Sequence, residues 1–341
     1  MNLEDIARKA GVSRSTVSRV INDDPKVSAK TREHVWEVIR RENFTPNPAA
    51  RALVTRRTEI IGIVIPTVEN IFFTDNNYFT QILAGASQMA RQNDYAMLLW
   101  LGELTEDEER LRQSVSNNRL VDGVITASLT HDHPLFKRLL SLNTPLVMID
   151  RPLEHDDKIS YVSVDNIRAA ELATNHLISL GRRRIAHITG NLSIADAQDR
   201  LRGYKNALTQ AGLPVDPDLI VPAFFSRQSG YDAMRQLLPR KPDAIFAAGD
   251  TIAVGAVQAA HEAGIRVPHD LAVVGFDDVD VAAQAFPPLT TVRQPVQGKG
   301  AAAAKLLIDL IQGRVQAPQH ILLETELVIR QSCGAKNPLK G

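Results

Sequence analysis

A single cysteine, Cys333, is present in 341 residues, which excludes an intramolecular disulfide framework and any site built from several thiolates. Aromatic residues make up only 5% of the chain. No apolar run approaches the length that spans a bilayer. The opening Met1-Asn2-Leu3-Glu4-Asp5 is acidic where a secretion signal is basic. A cytoplasmic protein without a membrane segment is the expectation. Catalytic signatures are missing too: there is no Walker P-loop, no Gly-x-Gly-x-x-Gly after a strand and no His-Glu-x-x-His, and the nine histidines show no ligand spacing. An α/β enzyme is therefore the weaker reading, and no cofactor or metal is expected. Asp277, Asp278 and Asp280 suit hydrogen bonds to ligand hydroxyls or a turn better than a cation.

Net charge is absent as well, since 39 Lys and Arg offset 39 Asp and Glu. The average hides a split. Residues 1–58 hold 12 basic and seven acidic side chains, net +5, which leaves 27 basic and 32 acidic, net −5, for residues 59–341. A basic head on an acidic body marks a nucleic-acid-binding appendage on an ordinary globular unit. With 44% hydrophobic residues, the chain has enough material for two or three domains.

Residues 3–43 read as three short helices. Asn2 caps the first, which carries Leu3, Ile6, Ala7 and Ala10 at helical spacing, and Gly11 supplies a tight turn. Ser13 caps the second. Val17, Val20 and Ile21 form its buried stripe, while Arg14, Ser15, Ser18 and Arg19 fall largely on the open face. The third begins at Ser28 and carries Val35, Val38 and Ile39, with Trp36 beside them. Two helices joined by a glycine turn, the second with small polar and Arg side chains at its open end, make a helix-turn-helix. Such a helix fits the major groove of DNA, where Arg contacts guanine and Ser or Thr contacts bases or phosphates. A charged helical bundle that binds another protein fits the same pattern.

Asn47 is placed to cap a further helix with Pro48 in its first turn, so Ala49 to Val54 have room for about two turns. A helix that short is marginal alone in water. Arg56 and Arg57 follow as phosphate neighbours. From Ile60 onward, apolar runs alternate with amphipathic stretches. Strands are expected at 60–65, 96–101, 123–127, 145–150, 161–164, 184–189, 244–248 and 271–276, and helices at 79–92, 105–118, 166–180, 199–212, 251–264 and 297–312. This pattern predicts an α/β body of two doubly wound lobes with parallel sheets. In such sheets ligands sit beyond the carboxyl ends of the strands, and polar residues gather there: Asp150-Arg151, Asp250, Asp277, Arg200 opening a helix after a 190–199 loop that includes Asp196, and Gln294 in the return segment. An acid-and-Arg ring suits a neutral polyhydroxylated ligand. Phe72, Phe73, Tyr78, Phe79 and Phe225 are candidate aromatic walls. Each of these residues has a structural alternative as a cap, an ion pair or core.

Residues 3–22, Leu-Glu-Asp-Ile-Ala-Arg-Lys-Ala-Gly-Val-Ser-Arg-Ser-Thr-Val-Ser-Arg-Val-Ile-Asn, together with Val27–Arg32 and Asn43–Leu53, closely resemble the opening of the LacI/GalR repressor family. The resemblance implies that Arg14, Ser15 and Arg19 read bases and that Thr16 and Ser18 touch phosphates. It implies a hinge helix that pairs with its copy and enters the minor groove, with Leu53 as the wedge, Ala50 allowing close approach and Asn47 as a polar contact. It implies a periplasmic-binding-protein-like (type I) body. Arg200-Leu201-Arg202-Gly203-Tyr204 and Val274-Gly275-Phe276-Asp277-Asp278 fit the family's patterns, which favours Asp150, Arg200 and Asp277 as effector contacts, and Phe225 matches its aromatic residue. Gly249 stands where many members carry Asn. Asn70-Ile71-Phe72-Phe73 and Asn77-Tyr78-Phe79 both resemble the aromatic entry, so several residues are inserted, and the longer lip suits a disaccharide or oligosaccharide.

The expected organisation is a DNA-binding head at 1–46, hinge helix and linker at 47–58, an effector-binding and dimerisation domain at 59–333, and a tail at 334–341. Lobe one spans about 59–162 and 295–320, and lobe two about 163–294 and 321–333. The expected activity is that of a homodimeric repressor of a palindromic operator, nucleoid-associated when bound and controlled by a sugar between the lobes. A purine or other non-sugar metabolite acting as corepressor is the alternative. After Ile329 no sustained heptads occur, so dimers without a tetramerising coiled coil are expected.

Overall fold

The structure, a computed structural model, describes residues 1–45, 57–65, 77–101, 120–127, 139–141 and 144–335. Asn47, Ala50, Leu53, Arg56, Phe72, Phe73, the expected hinge helix and the expected helix at 105–118 lie outside the described residues.

Three helices form the head: α1 (Leu3–Ala10), α2 (Arg14–Ile21) and α3 (Ala29–Arg41). Asn2 and Asp5 make a capping box, each side chain accepting from the other's backbone N–H at 3.0 Å. Gly11 takes the left-handed conformation, φ 63°, that ends α1. Ser13 and Ser28 cap α2 and α3 by accepting from Thr16 and Thr31 N–H. The apolar stripes then close one small core of Ile6, Ala7, Ala10, Val17, Val20, Ile21, Val35, Val38 and Ile39.

The body has two six-stranded sheets. The first contains β1 (Ile60–Ile65), β2 (Ala96–Leu101), β3 (Gly123–Ala127), β4 (Leu146–Ile149), β5 (Ser160–Val164) and β11 (His320–Leu323), in the order β11-β5-β4-β3-β1-β2. The second contains β6 (Ile185–Ile188), β7 (Ile220–Val221), β8 (Ala244–Ala247), β9 (Ala272–Asp277), β10 (Thr290–Arg293) and β12 (Glu326–Val328), in the order β12-β10-β9-β8-β6-β7. All pairings are parallel except β10 with β12. Runs such as Ile60–Ile65 and Ala272–Asp277 are buried almost throughout, as strands covered on both faces must be.

Helix α4 (Tyr78–Gln92) lies against α10 (Val296–Ile311) and the first sheet. The two helices nearly touch at backbone level: a Cβ on Gly85 would fall 1.9 Å from the Gln297 carbonyl oxygen, and one on Gly300 2.1 Å from that of Ile82. In the second lobe, α5 (Asn166–Ser179) and α6 (Ala195–Gln210) cover one face. The other face is covered by α7 (Arg227–Leu237) and α8 (Asp250–Glu262), and short α9 (Asp280–Gln284) follows β9.

Strand pairing moves two expected lobe limits. β5 stays in the first sheet to Val164, two residues past the expected 162, and β11 adds residues 321–323 to that sheet through its pairing with β5. The chain thus crosses between lobes after β5, β10 and β11. A third correction concerns the 190–199 loop. Helix α6 already begins at Ala195, so Asp196 lies in its first turn and Arg200 one turn further on rather than at the opening.

Candidate effector cleft and nucleic-acid interface

Both lead carboxylates stand at strand ends in the left-handed region: Asp150, directly after β4, has φ 74°, and Asp277, ending β9, has φ 110°. Such a backbone costs a non-glycine residue about 1–3 kcal/mol and recurs at functional sites. A chain of polar contacts joins the two. Tyr78, the first residue of α4, donates its hydroxyl to Asp150 at 3.2 Å. Lys299, fully buried on α10, is ion-paired with Asp150 and donates to the Tyr78 hydroxyl and to Gln294 Oε1, both at 3.0 Å. Gln294 sits on the crossing between β10 and α10, and its amide donates to Asp277 Oδ1 at 2.6 Å. Asp277 lies 3.7 Å from the Arg200 guanidinium. The lobes are therefore linked from Asp150 to Arg200 by charged and hydrogen-bonded groups.

Arg200 is held rigidly. It donates to Asn166 Oδ1 at 2.8 Å and to the Ala248 carbonyl at 2.6 Å, and its guanidinium lies over the Phe276 ring at 3.7 Å from the centroid. Asp196, one turn earlier on α6, is 3.8 Å from it. Burial first, and then the negative charge of Asp150, push the Asp196 carboxyl up to about 7, against the pull of Lys299 and Arg200. Burial raises Asp277 to about 6, with Arg200 opposing. The Tyr78 hydroxyl is pushed well above its ordinary value, chiefly by burial. Three carboxylates, Asp150, Asp196 and Asp277, thus face two cations, Lys299 and Arg200. Burying net charge is costly, so the cluster retains a proton to neutral pH.

The sign of the resulting pH effect follows directly. An unfolded aspartate ionises near 4, whereas the folded protein holds the Asp196 proton to about 7. This contribution to stability is therefore complete below pH 4 and is lost as pH rises through 7. Thermal melts from pH 5 to 8 are expected to fall, and Asp196→Asn to flatten the slope by about 1.4 kcal/mol per pH unit between 5 and 7. An undiminished slope in the variant would assign the proton elsewhere. Some slope remains in either case, because Asp277 also titrates in this range.

Phe225, just ahead of α7, forms an aromatic wall made possible by two glycines. A Cβ on Gly190 would lie 2.1 Å from its ring, and one on Gly249 3.2 Å from the ring and 3.6 Å from Asp277 Oδ2. The expected residues Tyr78, Asp150, Asp196, Arg200, Asp277 and Gln294 form one connected cluster; Phe225 adjoins Asp277 across Gly249, and Phe79 meets Tyr78 edge to face at 5.4 Å.

Two others serve different ends. Arg151 forms a two-pronged ion pair with Asp199 on α6, at 2.9 and 3.0 Å, tying lobe to lobe. Asp250 is fully buried, accepting from Thr291 Oγ1 at 2.6 Å and Val279 N–H at 3.0 Å, and the absent side chain of Gly275 makes room for its Oδ1. Both of its carboxylate oxygens are thus engaged in holding the end of β9 in place. Asp278 pairs with Arg293 and Arg330, away from Asp277's partner Gln294, so these neighbours do not converge as a cation site. Sequence reading missed Lys299 and Asn166. The one available signal for Lys299 was a lone charge in the Gly298–Ala304 stretch of small residues.

In the head, Arg14, Ser15 and Arg19 are exposed on α2, while Thr16 and Ser18 are half-buried. Ser13 Oγ is 2.8 Å from both Ser15 Oγ and Thr16 Oγ1, which orders the first turn. Arg19 lies 3.8 Å from Asp24.

Residues 2–47 match the profile of the lacI family of bacterial regulatory proteins, and residues 174–333 match the periplasmic binding protein-like domain. The HTH-type transcriptional regulator CelR of Thermobifida fusca is 40% identical, covering 97% of each chain. The chain belongs to the LacI family. It is a DNA-binding transcriptional regulator with a type I periplasmic-binding-protein-like body. Among solved structures, the CelR–cellobiose complex superposes on this LacI-family protein with a TM-score of 0.78 and 38% identity, covering 97% of this chain and 99% of that one. The lac repressor dimer bound to operator and the anti-inducer ONPF gives a TM-score of 0.79 at 29% identity, covering 98% and 99%. No helix among the described residues is long and apolar enough to cross a membrane.

Proposed function

We propose that this regulator is a homodimeric repressor of a palindromic operator, released by a β-linked glucose disaccharide or a longer homologue bound between its lobes. The supporting observation is the polar chain from Asp150 through Lys299, Gln294 and Asp277 to Arg200, which spans both lobes and offers acceptors and donors to vicinal hydroxyls. Likeness to the cellobiose-bound CelR supports the ligand class. Sugar hydroxyls compete for the same contacts, so ligand and lobe angle are coupled. An effector shifts operator affinity only by its differential affinity for the two lobe arrangements. The readout passes to the 47–58 segment between head and body.

Dimer symmetry matches a two-fold operator. Strand β2 supports the dimer, since it is the edge of its sheet and carries half-buried Leu98, Leu99 and Trp100 beside exposed Leu101. Such an edge is a natural pairing surface. The protein binds its effector without transforming it, acting in the cytoplasm and on the nucleoid when DNA-bound.

Thermal melts with cellobiose, glucose, ribose, hypoxanthine and guanine, repeated with operator DNA, test the ligand class. Cellobiose should raise the melting temperature and release DNA; a response confined to the purines would overturn the sugar assignment. Gly190→Ala should displace the Phe225 ring and, like Phe225→Ala, is expected to weaken cellobiose binding about tenfold, in line with about 1.4 kcal/mol for a lost aromatic contact. Unchanged isotherms for both variants would remove the aromatic wall from the site.

A further inference from the structure

We infer that the cleft has an outer subsite, between the start of α4 and helix α9, that seats a second pyranose beyond the one held at Tyr78, Asp150, Arg200 and Asp277. The inference rests on the carbohydrate reading above. A cavity of about 490 Å³ lies there, lined by Asn77, Arg227, Val254, Asp280, Gln284 and Phe286 among others. Ligand pockets commonly measure about 300–1,000 Å³, so one sugar ring is accommodated.

The same three chain segments build both places. Asn77 immediately precedes Tyr78, Arg227 follows Phe225 by two residues, and Asp280 follows Asp277 by three. Each segment therefore gives one side chain to the inner cluster and another, one to three residues away, to the outer cavity. A ligand that extends out of the inner site along these segments meets the outer residues.

The lining has the chemistry of a neutral polyol site. Asp280 accepts, Arg227 donates, and the Asn77 and Gln284 amides do both, which matches hydroxyl groups that donate and accept. Among the described lining residues, one guanidinium and one carboxylate balance, which does not favour a phosphate or an acid. Asn77 Oδ1 is buried with no hydrogen-bond partner among the described residues, and the side chain does not cap α4 although it stands at the N-cap. A buried acceptor in that condition is destabilising until a donor reaches it, and a sugar hydroxyl is such a donor. Phe286 is 92% exposed, the most exposed of the large apolar side chains among the described residues. Its ring has no use in the core, whereas the electron-rich face of an aromatic ring attracts the electropositive C–H face of a pyranose.

The test is titration calorimetry of the full chain with cellobiose and with glucose, on wild type, Phe286→Ala, Gln284→Ala and Asn77→Ala. Phe286 and Gln284 are exposed, so these two variants should melt with the wild type. Cellobiose affinity is expected to fall about tenfold in Phe286→Ala and at least threefold in Gln284→Ala and Asn77→Ala, with glucose unchanged or too weak to detect in all four proteins. Cellobiose affinity equal to wild type in all three variants would overturn the subsite while leaving the sugar reading intact, as would equal losses for both sugars. Wild type that binds neither sugar would overturn the carbohydrate reading and the subsite with it.

Discussion

Lys299→Met is expected to lower the melting temperature of the body by roughly 10 °C, since losing one partner of a buried pair costs about 3–5 kcal/mol and each kcal/mol moves a domain of this size about 2–4 °C. The cause is electrostatic. Methionine fills a similar volume, but Asp150 then faces Asp196 with no ammonium beside it, and the Tyr78 hydroxyl and Gln294 Oε1 each lose a donor. The deficit should shrink toward pH 5, where Asp196 is protonated and its charge no longer adds to the unpaired cluster. Lys299→Met combined with Asp150→Asn removes the orphaned carboxylate and should recover more than half of the loss. Calorimetric melts of the four proteins check this cycle; a single variant as stable as wild type would show that Lys299 does not balance the cluster. Because Lys299 also fixes Gln294, and through it Asp277, the variant should lose its response to cellobiose even where it remains folded.

Arg14→Ala is expected to weaken operator binding about 30-fold to 10⁴-fold, because a bidentate base contact is worth about 1–3 kcal/mol in each of two half-sites. Arg14 is exposed in the first turn of α2, and the turn is set by the Ser13 cap, which the substitution leaves in place. The discriminating readout is specificity. Loss of a base contact relaxes preference at one position of each half-site, whereas loss of a phosphate contact weakens all sequences alike and reduces the salt slope by about one per contact. Binding to operator variants at several salt concentrations separates the two. A uniform loss across every sequence would move Arg14 from base reading to backbone contact.

The head was legible because its signals are local: Asn2, Ser13 and Ser28 caps, a glycine turn, and apolar residues at helical spacing. The central parallel strands were legible because strands buried on both faces are continuously apolar. Strand-end reasoning put Asp150, Asp196, Arg200 and Asp277 in one neighbourhood, where the structure joins them; it had no signal for the inward bonds of Asp250 to Thr291 and Val279, which depend on residues 41 and 29 positions away. Lys299 escaped because its partner Asp150 is 149 residues away, and only the close approach of α4 and α10 brings the two together. Helix α7 was missed because Arg227–Leu237 is mostly polar outside its buried Gly230, Ala233, Met234 and Leu237. Strands β7 and β12, with two and three residues, carry too little pattern to stand out.

The first lobe is assembled from both ends of the body sequence: α10 and β11 complete a layer begun by β1 to β5. On the ribosome, the three-helix head has all of its core within its first 45 residues and can fold as it emerges. The first sheet has to wait, its α10-facing surface uncovered, until some 260 further residues have been translated past Ile60. A truncation before residue 296 would thus release a molecule still able to dock on DNA through its head, attached to a half-built lobe with exposed apolar surface, which is the kind of product that proteases and chaperones remove.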